Sequence, residues 1–513
     1  MVTDSRRYPN LYKDSVSLMA VTVQVTSVPG LETGSVVMAS GTNVDNLAGA
    51  GLGEFEVAPN DLVVAVRGTE DACAEALALA DALLSAGGGG ADDTVAESPP
   101  TSLVTAKSAD PTLNLALISV PGDYAAAEAM KALRLGMDVM VFSDNVSPDA
   151  ELAIKSFARE ANLMVMGPDC GTAIVNGIPL GFANVVRRGP VGVVGASGTG
   201  TQEVTVRIHQ QGSGVSQALG TGGHDLAASI GGISMLHGLA ALDADPDTAV
   251  IVLVSKPPAP SVAAEVLAVA RASAKPVVVI FLGADPAAVT GDGVYGAGHL
   301  AAAADMAAAL ARGETPVAGD IAITAETRAA LRDRAGAMAD GQRYVRGVYS
   351  GGTFCFEAQL IHRARGISAH SNTPVEGNNV LADIAHSTEH TIIDMGDDEF
   401  TQGRPHPMID PSLRDRRIRD EAADPATAVV LFDVVLGYGA ADDPVTGLLD
   451  AIDDATVAVR TEGRAVTFIG YVCGTELDPQ DRDGIVAALE KSGVLVAQSN
   501  AEAAAWSAEL ITA

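Results

Sequence analysis

A chain of 513 residues is too long for one ordinary hydrophobic core and divides into about three or four domains. Hydrophobic residues make up 48% and aromatics only 4%, so Ala, Val, Leu and Gly must build the interior, as in α/β proteins. The net charge of −32, from 32 basic and 64 acidic residues, argues against nucleic acid and anionic membrane as partners, so an anionic ligand must be held by local dipoles and a few Arg residues.

The chain starts polar and charged, and no apolar run reaches the ~18 residues that span a bilayer, so a soluble, cytoplasmic protein is expected. Cys73, Cys170, Cys355 and Cys473 are far apart without CxxC spacing. They propose neither a zinc site nor a disulfide framework, and no metal is expected. Residues 15–86 read as strand, turn, strand and helix: 17–26 alternates, 62–66 is a short apolar run and 71–84 has helical spacing. This is a small N-terminal α+β domain, 1–100, closed by a flexible linker that starts at the glycine run 87–90.

From 115 the pattern becomes regular: strands 115–120, 138–142 and 163–166 alternate with helices 124–135 and 149–161. Such βαβ order predicts a parallel, doubly wound sheet for 101–188, with its crevice at the strand C-termini. A second series fills 189–335, with strands 191–194, 214–218, 249–254 and 276–281 and a helix at 261–272. The third unit, 336–513, begins with strand, Gly turn and helix over 345–362. It resumes at strands 428–436, 465–469 and 493–497 and helix 481–492, around a polar insertion, 366–425, read as a functional or disordered loop.

The chemistry lies in the turns. Gly195-Ala196-Ser197-Gly198-Thr199-Gly200 follows an apolar strand and opens a helix. Glycines let the backbone approach a ligand, and the free N–H groups of the first turn, with about half a positive charge from the helix dipole, favour phosphate or carboxylate. No Lys follows, so this is not a Walker loop. Ser350-Gly351-Gly352-Thr353 and Leu436-Gly437-Tyr438-Gly439 are further candidates. In Gly167-Pro168-Asp169-Cys170-Gly171, Cys170 reads as a packed small residue, since no His lies near it in sequence. The stretch 394–414 gathers Asp394, Asp397, Asp398, Glu399, Arg404, His406 and Asp410. Arg404 could clamp a carboxylate or phosphate, and His406 could move protons near neutral pH.

The stretches ALISVPGDYAAAEAMKALRLGMDVMVFSDNVS, MVMGPDCGTAIVNG and GPVGVVGASGTGTQE resemble the CoA-binding and first ligase domains of the succinyl-CoA synthetase α subunit. The C-terminal AVVLFDVVLGYGAADDPVTGLLDAI resembles the ligase domain of that enzyme's β subunit, and no segment resembles its ATP-grasp domain. The whole arrangement, with DSVSLM, YSGGTFCFEA and DEFTQGRPHPMIDPSLR, is similar to the FdrA proteins, which include the AllF-type subunit of oxamate carbamoyltransferase. The resemblance implies a CoA-binding Rossmann-like domain, two flavodoxin-like ligase domains and a small N-terminal α+β domain. It also implies a transferase of ureide and purine catabolism that converts oxalurate and phosphate to oxamate and carbamoyl phosphate. No resident cofactor is needed, and companion subunits in an oligomer are expected around this small-molecule site.

In the ligases two helix N-termini face one phosphoryl group. Ser197, Gly198 and Thr199 match the first, and Gly437 and Gly439 match the second by position, although Asp442 and Asp443 follow them. The alternative implied by the family is an acyl-CoA synthetase component with a separate ATP-grasp subunit, binding CoA above Pro121-Gly122. The ligases carry a phosphohistidine, and the nearest candidate, His299, runs directly into an Ala-rich helix and reads as a helix-start residue instead.

Overall fold

A computed structural model describes residues 2–13, 15–55, 57–58, 60–86, 100–401 and 404–512. The linker expected from residue 87 lies outside them up to residue 99. In the N-terminal unit, strands Val2–Tyr8, Leu31–Met38 and Leu62–Gly68 form an antiparallel sheet with the last strand in the middle. Helices Ser15–Thr26 and Glu70–Ala86 pack on it. The alternation at 17–26 therefore does not make a strand. Leu18, Thr22 and Val25 are the buried positions, the i, i+4, i+7 spacing of one helix face, and Thr22 donates to Leu18 O at 2.8 Å.

The next unit matches the expected βαβ order. Strands Leu115–Ile118, Asp138–Val141 and Val165–Met166 lie parallel in that order, with helices Gly122–Arg134 and Pro148–Ala161 between them. The first helix buries Ala125, Ala129 and Ala132, so small side chains let it sit close to the sheet. A hairpin, Thr172–Val175 and Ile178–Gly181, then turns through Asn176 and Gly177, both at positive φ, as a two-residue hairpin turn requires.

That hairpin forms one edge of a seven-stranded sheet whose other five strands are parallel. Arg188–Ala196 is central in it, between Val215–Gly220 and Val250–Ser255. A second seven-stranded sheet is wholly parallel, with Tyr344–Tyr349 between Thr391–Asp394 and Thr427–Val435. The stretch 366–425, expected as a loop, supplies strands His370–Ser371, Asn379–Val380 and Thr391–Asp394 to this sheet, and the helix Ser412–Ala423. Its polarity is partly internal: Arg414 and Arg417 are buried, bonded to Asp415 and Glu421 and to the carbonyls of Asp433 and Ile384.

Two buried titratable groups, one charged and one neutral, tie elements together. Lys155, fully buried, donates to Glu151, to Asp225 and to Thr221 O at 2.7, 2.8 and 2.9 Å, tying helix Pro148–Ala161 to the first seven-stranded sheet. His362, on helix Gly352–Ala364, donates from Nδ1 to Ala358 O and accepts at Nε2 from Ser507 of the terminal helix. Burial pushes its pKa down to about 4. The folded state thus refuses a proton that the unfolded chain takes up below about 6.5, so this contribution is intact near neutrality and is lost progressively as pH falls towards 4, to a limit of roughly 3 kcal/mol. Melting at pH 7 and pH 5 should show a smaller acid-induced drop in His362→Gln than in the native chain. An equal drop in both would refute the assignment.

Candidate functional site

The two large sheets present the same local device at the C-terminal ends of their central strands. Strand Arg188–Ala196 leads through Ser197 into helix Gly198–Gln210, and strand Tyr344–Tyr349 leads through Ser350 and Gly351 into helix Gly352–Ala364. Ser197-Gly198-Thr199 corresponds to Gly351-Gly352-Thr353, and each helix buries a Glu at its sixth residue, Glu203 and Glu357. The two turns meet. Ser197 Oγ lies 2.6 Å from Thr353 Oγ1, and a Cβ on Gly351 would stand 2.9 Å from the Thr199 methyl. A Cβ on Gly200 would meet Ser197 Oγ at 2.5 Å, so glycine is what lets the helix ends approach.

Neither helix has a side-chain cap, and the N–H groups of Gly198, Thr199, Gly200, Gly352, Thr353 and Phe354 have no acceptor among the described residues. Two buried hydroxyls beside them, Thr172 Oγ1 and Ser350 Oγ, are also without partners. Two orphaned first turns, each with the positive end of a helix dipole, have the chemistry that suits a compact anion such as phosphate. At the base, Asn500 bridges the matched glutamates: its N–H donates to Glu203 and its Nδ2 to Glu357, at 3.1 and 2.8 Å. Burial and mutual repulsion raise the Glu203 carboxyl well above the usual range. In a double-mutant cycle, Ser197→Ala and Thr353→Ala should couple by about 0.5–1.5 kcal/mol in stability, and strict additivity would show that their hydroxyls do not interact.

Carboxylates flank the second turn from both neighbouring strands. Asp433 accepts from the N–H groups of Ser350 and Gly351 at 2.7 and 2.8 Å. Asp394 stands against Gly352, with Oδ1 accepting from Gly396 N–H at 2.9 Å. Burial pushes the Asp394 carboxyl up to about 6, with Lys256 pulling it down. Lys256 is exposed at the end of strand Val250–Ser255 and lies 5.6 Å from the Phe356 ring on the second helix. Sequence reasoning did not single out Lys256 or Asp433. Their one local signal is the position of Lys256 directly after an apolar strand, where parallel sheets place ligand residues.

The other expected residues lie as follows. Leu436–Gly439 does not form the second arm: Gly437 N–H donates to Gln480 and Tyr438 N–H to Ala183 O, so its donors are spent on packing. The next helix starts only at Thr446, capped by Asp443. Gly437 and Gly439 are needed for their positive φ, +111° and +78°. Arg404 is exposed and has no ion pair among the described residues. His406 accepts from Met408 N–H at Nδ1 and packs on Phe182; burial lowers its pKa to about 4, so its imidazole is neutral near pH 7. A Cβ on Gly396 would stand 2.5 Å from its Nε2 and 2.8 Å from Ser350 O, so only this glycine lies between the imidazole and the second turn. His299 caps helix Leu300–Ala311, with Nδ1 accepting from Ala302 N–H and Nε2 on Gly319 O, in keeping with a helix-start residue. Cys170 is buried, and burial pushes its thiol up to about 12, too high for a nucleophile at neutral pH.

Family models match in three places: a CoA-ligase domain at 348–510, a CoA binding domain at 186–283 and the AllF heavy metal-associated domain at 1–99. The uncharacterized protein YahF of Escherichia coli K12 is 42% identical over 507 residues, 98% of this chain and 97% of its own. The chain belongs to the FdrA family of succinyl-CoA synthetase α-like proteins. This FdrA chain also matches an ADP-forming succinate–CoA ligase α-2 subunit of Trichomonas vaginalis, 31% identical over 28% of the chain and 47% of that protein. The SauD subunit of an ADP-forming sulfoacetate–CoA ligase from Bilophila wadsworthia is 28% identical over 28% of the chain and 50% of its own length. Both matches span only about half of those ligase subunits.

Two groups can be tested against the residues: CoA at the place expected from the sequence, above Pro121-Gly122, and the metal that the name of the 1–99 match suggests. A cavity of about 470 Å³ at the end of strand Leu115–Ile118 is lined mainly by apolar side chains, Leu117, Val120, Phe142 and Phe182 among them, with Glu128 and no Lys or Arg. The adjoining helix has Asp123 in its first turn, and Gly122 packs against the carbonyls of Asp144 and Asn145. This crevice, which lies outside the 186–283 match, does not fit the phosphates of CoA. Residues 1–99 hold one Cys, Cys73, buried with its thiol raised by burial, and no CxxC. They do not fit a thiolate-bound metal, and no cluster of three or more His, Cys, Asp or Glu suited to a metal occurs among the described residues. No helix among the described residues is long and apolar enough to cross a membrane.

Proposed function

We propose that this FdrA protein is a subunit of a carbamoyltransferase of the oxamate carbamoyltransferase type, acting with companion subunits on oxalurate or a similar N-carbamoyl compound and phosphate. The observation that carries the reading is the meeting of two uncapped helix N-termini at Ser197 and Thr353. Their free N–H groups would hold phosphate while it attacks the carbamoyl carbon, and would stabilise the charge that develops on the oxygens. Arg404, exposed nearby in sequence to His406, would receive the substrate carboxylate. The AllF-type domain at the N-terminus supports the same reading.

The likeness to named CoA-ligase subunits favours a second reading, an acyl-CoA ligase component served by a separate ATP-grasp subunit. The two readings separate experimentally. Protein purified with the products of its neighbouring genes should release carbamoyl phosphate from oxalurate and inorganic phosphate, and His299 should carry no phosphoryl label after incubation with ATP. Absence of carbamoyl phosphate together with a labelled His299 would reverse the choice.

A further inference from the structure

The two carboxylates that flank the second turn are not equivalent. Both stand at the C-terminal ends of strands that neighbour Tyr344–Tyr349, one on each side. Asp433 is fully buried and spends both oxygens on backbone donors, Oδ1 on Ser350 N–H and Oδ2 on Gly351 N–H. It is a clamp that shapes the turn. Asp394 spends only Oδ1, on Gly396 N–H, while its main chain is held by Asn372 on both sides. Oδ2 has no donor among the described residues and lies against Gly352, the first residue of the second helix. The unpartnered Ser350 hydroxyl adjoins the same place.

We infer that Asp394 is the proton donor to the departing nitrogen in the phosphorolysis, a role that rests on the reaction proposed above. An oxygen of hydrogen phosphate, held at the helix ends, forms a bond to the carbamoyl carbon, and the C–N bond to the rest of the substrate breaks. Its electron pair stays on nitrogen, which takes the proton from Asp394 Oδ2 and leaves as the neutral amide. The proton remaining on the phosphoryl group of the product then returns to Asp394, so no other reactant is consumed.

The surroundings suit a carboxyl that is protonated while a phosphate dianion is bound. Asp394 faces the Lys256 ammonium from strand Val250–Ser255, Asp433 from the neighbouring strand and Asp397 from its own loop. The Cys355 thiol of the second helix faces it as well, raised by burial and by Asp394 itself, and the neutral His406 imidazole lies across Gly396. Of these only Lys256 is positive, and burial outweighs it. A general acid of this kind contributes roughly 10²–10⁴ in rate.

Asp394→Asn keeps the acceptor for Gly396 N–H and removes the proton. In the full assembly, with oxalurate and inorganic phosphate, its kcat should fall by at least about 100-fold while KM for phosphate changes by less than about threefold. The native assembly should lose kcat as pH rises above about 6, and the residual activity of the variant should lack that alkaline fall. A folded Asp394→Asn protein with near-native kcat, or with the same alkaline fall, would overturn the assignment. If the variant does not fold, the native profile decides, and a rate that does not fall between pH 6 and pH 9 overturns it. A native assembly that makes no carbamoyl phosphate at all would remove the reaction itself, and this role with it.

Discussion

Gly198→Val should abolish phosphate-dependent turnover while leaving the protein folded. Gly198 is the first residue of its helix, its N–H is free, and a Cβ there would meet only Thr172 Oγ1, at 3.8 Å. The open space that makes the substitution tolerable to the fold is the space assigned to the phosphoryl group. An isopropyl group would fill it and shield the N–H groups of Thr199 and Gly200. Losing such preorganised donors costs on the order of 10²–10³ in kcat, and losing the binding volume adds to that. Thr199→Ala provides the contrast. It keeps every backbone donor and removes one hydroxyl and one methyl, so it should cost no more than about 0.5–1.5 kcal/mol. Steady-state rates with a melting curve for each variant give the comparison, and a folded Gly198→Val protein with native activity would place the phosphate elsewhere.

Lys155→Ala should be the most destabilising single change of a charged residue. Its ammonium is surrounded by two carboxylates and a carbonyl, and Glu151 and Asp225 are themselves about 1% exposed or less. Removing the cation leaves two buried carboxylates with only the exposed His224 imidazole, 3.7 Å from Glu151, beside them, which costs roughly 3–5 kcal/mol. Because the network joins helix Pro148–Ala161 to the first seven-stranded sheet, the loss should loosen that junction before either unit unfolds. Denaturant unfolding and amide exchange in the segment around Thr221 report both effects. A loss below about 1 kcal/mol would mean that the network is not paired as described.

The parts of the fold that were legible in the sequence are those whose cause is local. Apolar strands at 115–118, 250–255 and 277–281, each followed by helical spacing, announce parallel βα units, and the structure has them within a few residues. The Ser197 turn was legible for the same reason, since strand, glycines and helix are contiguous. Helix Ser15–Thr26 was hidden because its β-branched residues also alternate, and only the sheet beneath it selects the 18, 22, 25 face. The stretch 366–425 was hidden because its Arg and Glu residues neutralise one another inside the domain.

The pairing of the site was not legible at all. Ser350–Thr353 and Leu436–Gly439 look alike in sequence, glycines after an apolar strand. What separates them is that the first one runs straight into a helix whose leading N–H groups, from Gly352 on, are free, whereas the N–H groups of Gly437 and Tyr438 are taken by Gln480 and Ala183, which are distant in sequence or belong to another element. The same holds for Asp394 and Asp433, whose different tasks follow from how many donors each carboxylate meets.

Two helix ends are assigned to hold one phosphoryl group, and a crystal structure of the protein grown with inorganic phosphate tests this most directly. The phosphate should lie between the N–H groups of Gly198–Gly200 and Gly352–Phe354, within hydrogen-bond distance of both turns. A phosphate ordered at Leu436–Gly439 or at the apolar cavity instead, or a site between the two turns that stays empty at saturating phosphate, would contradict it.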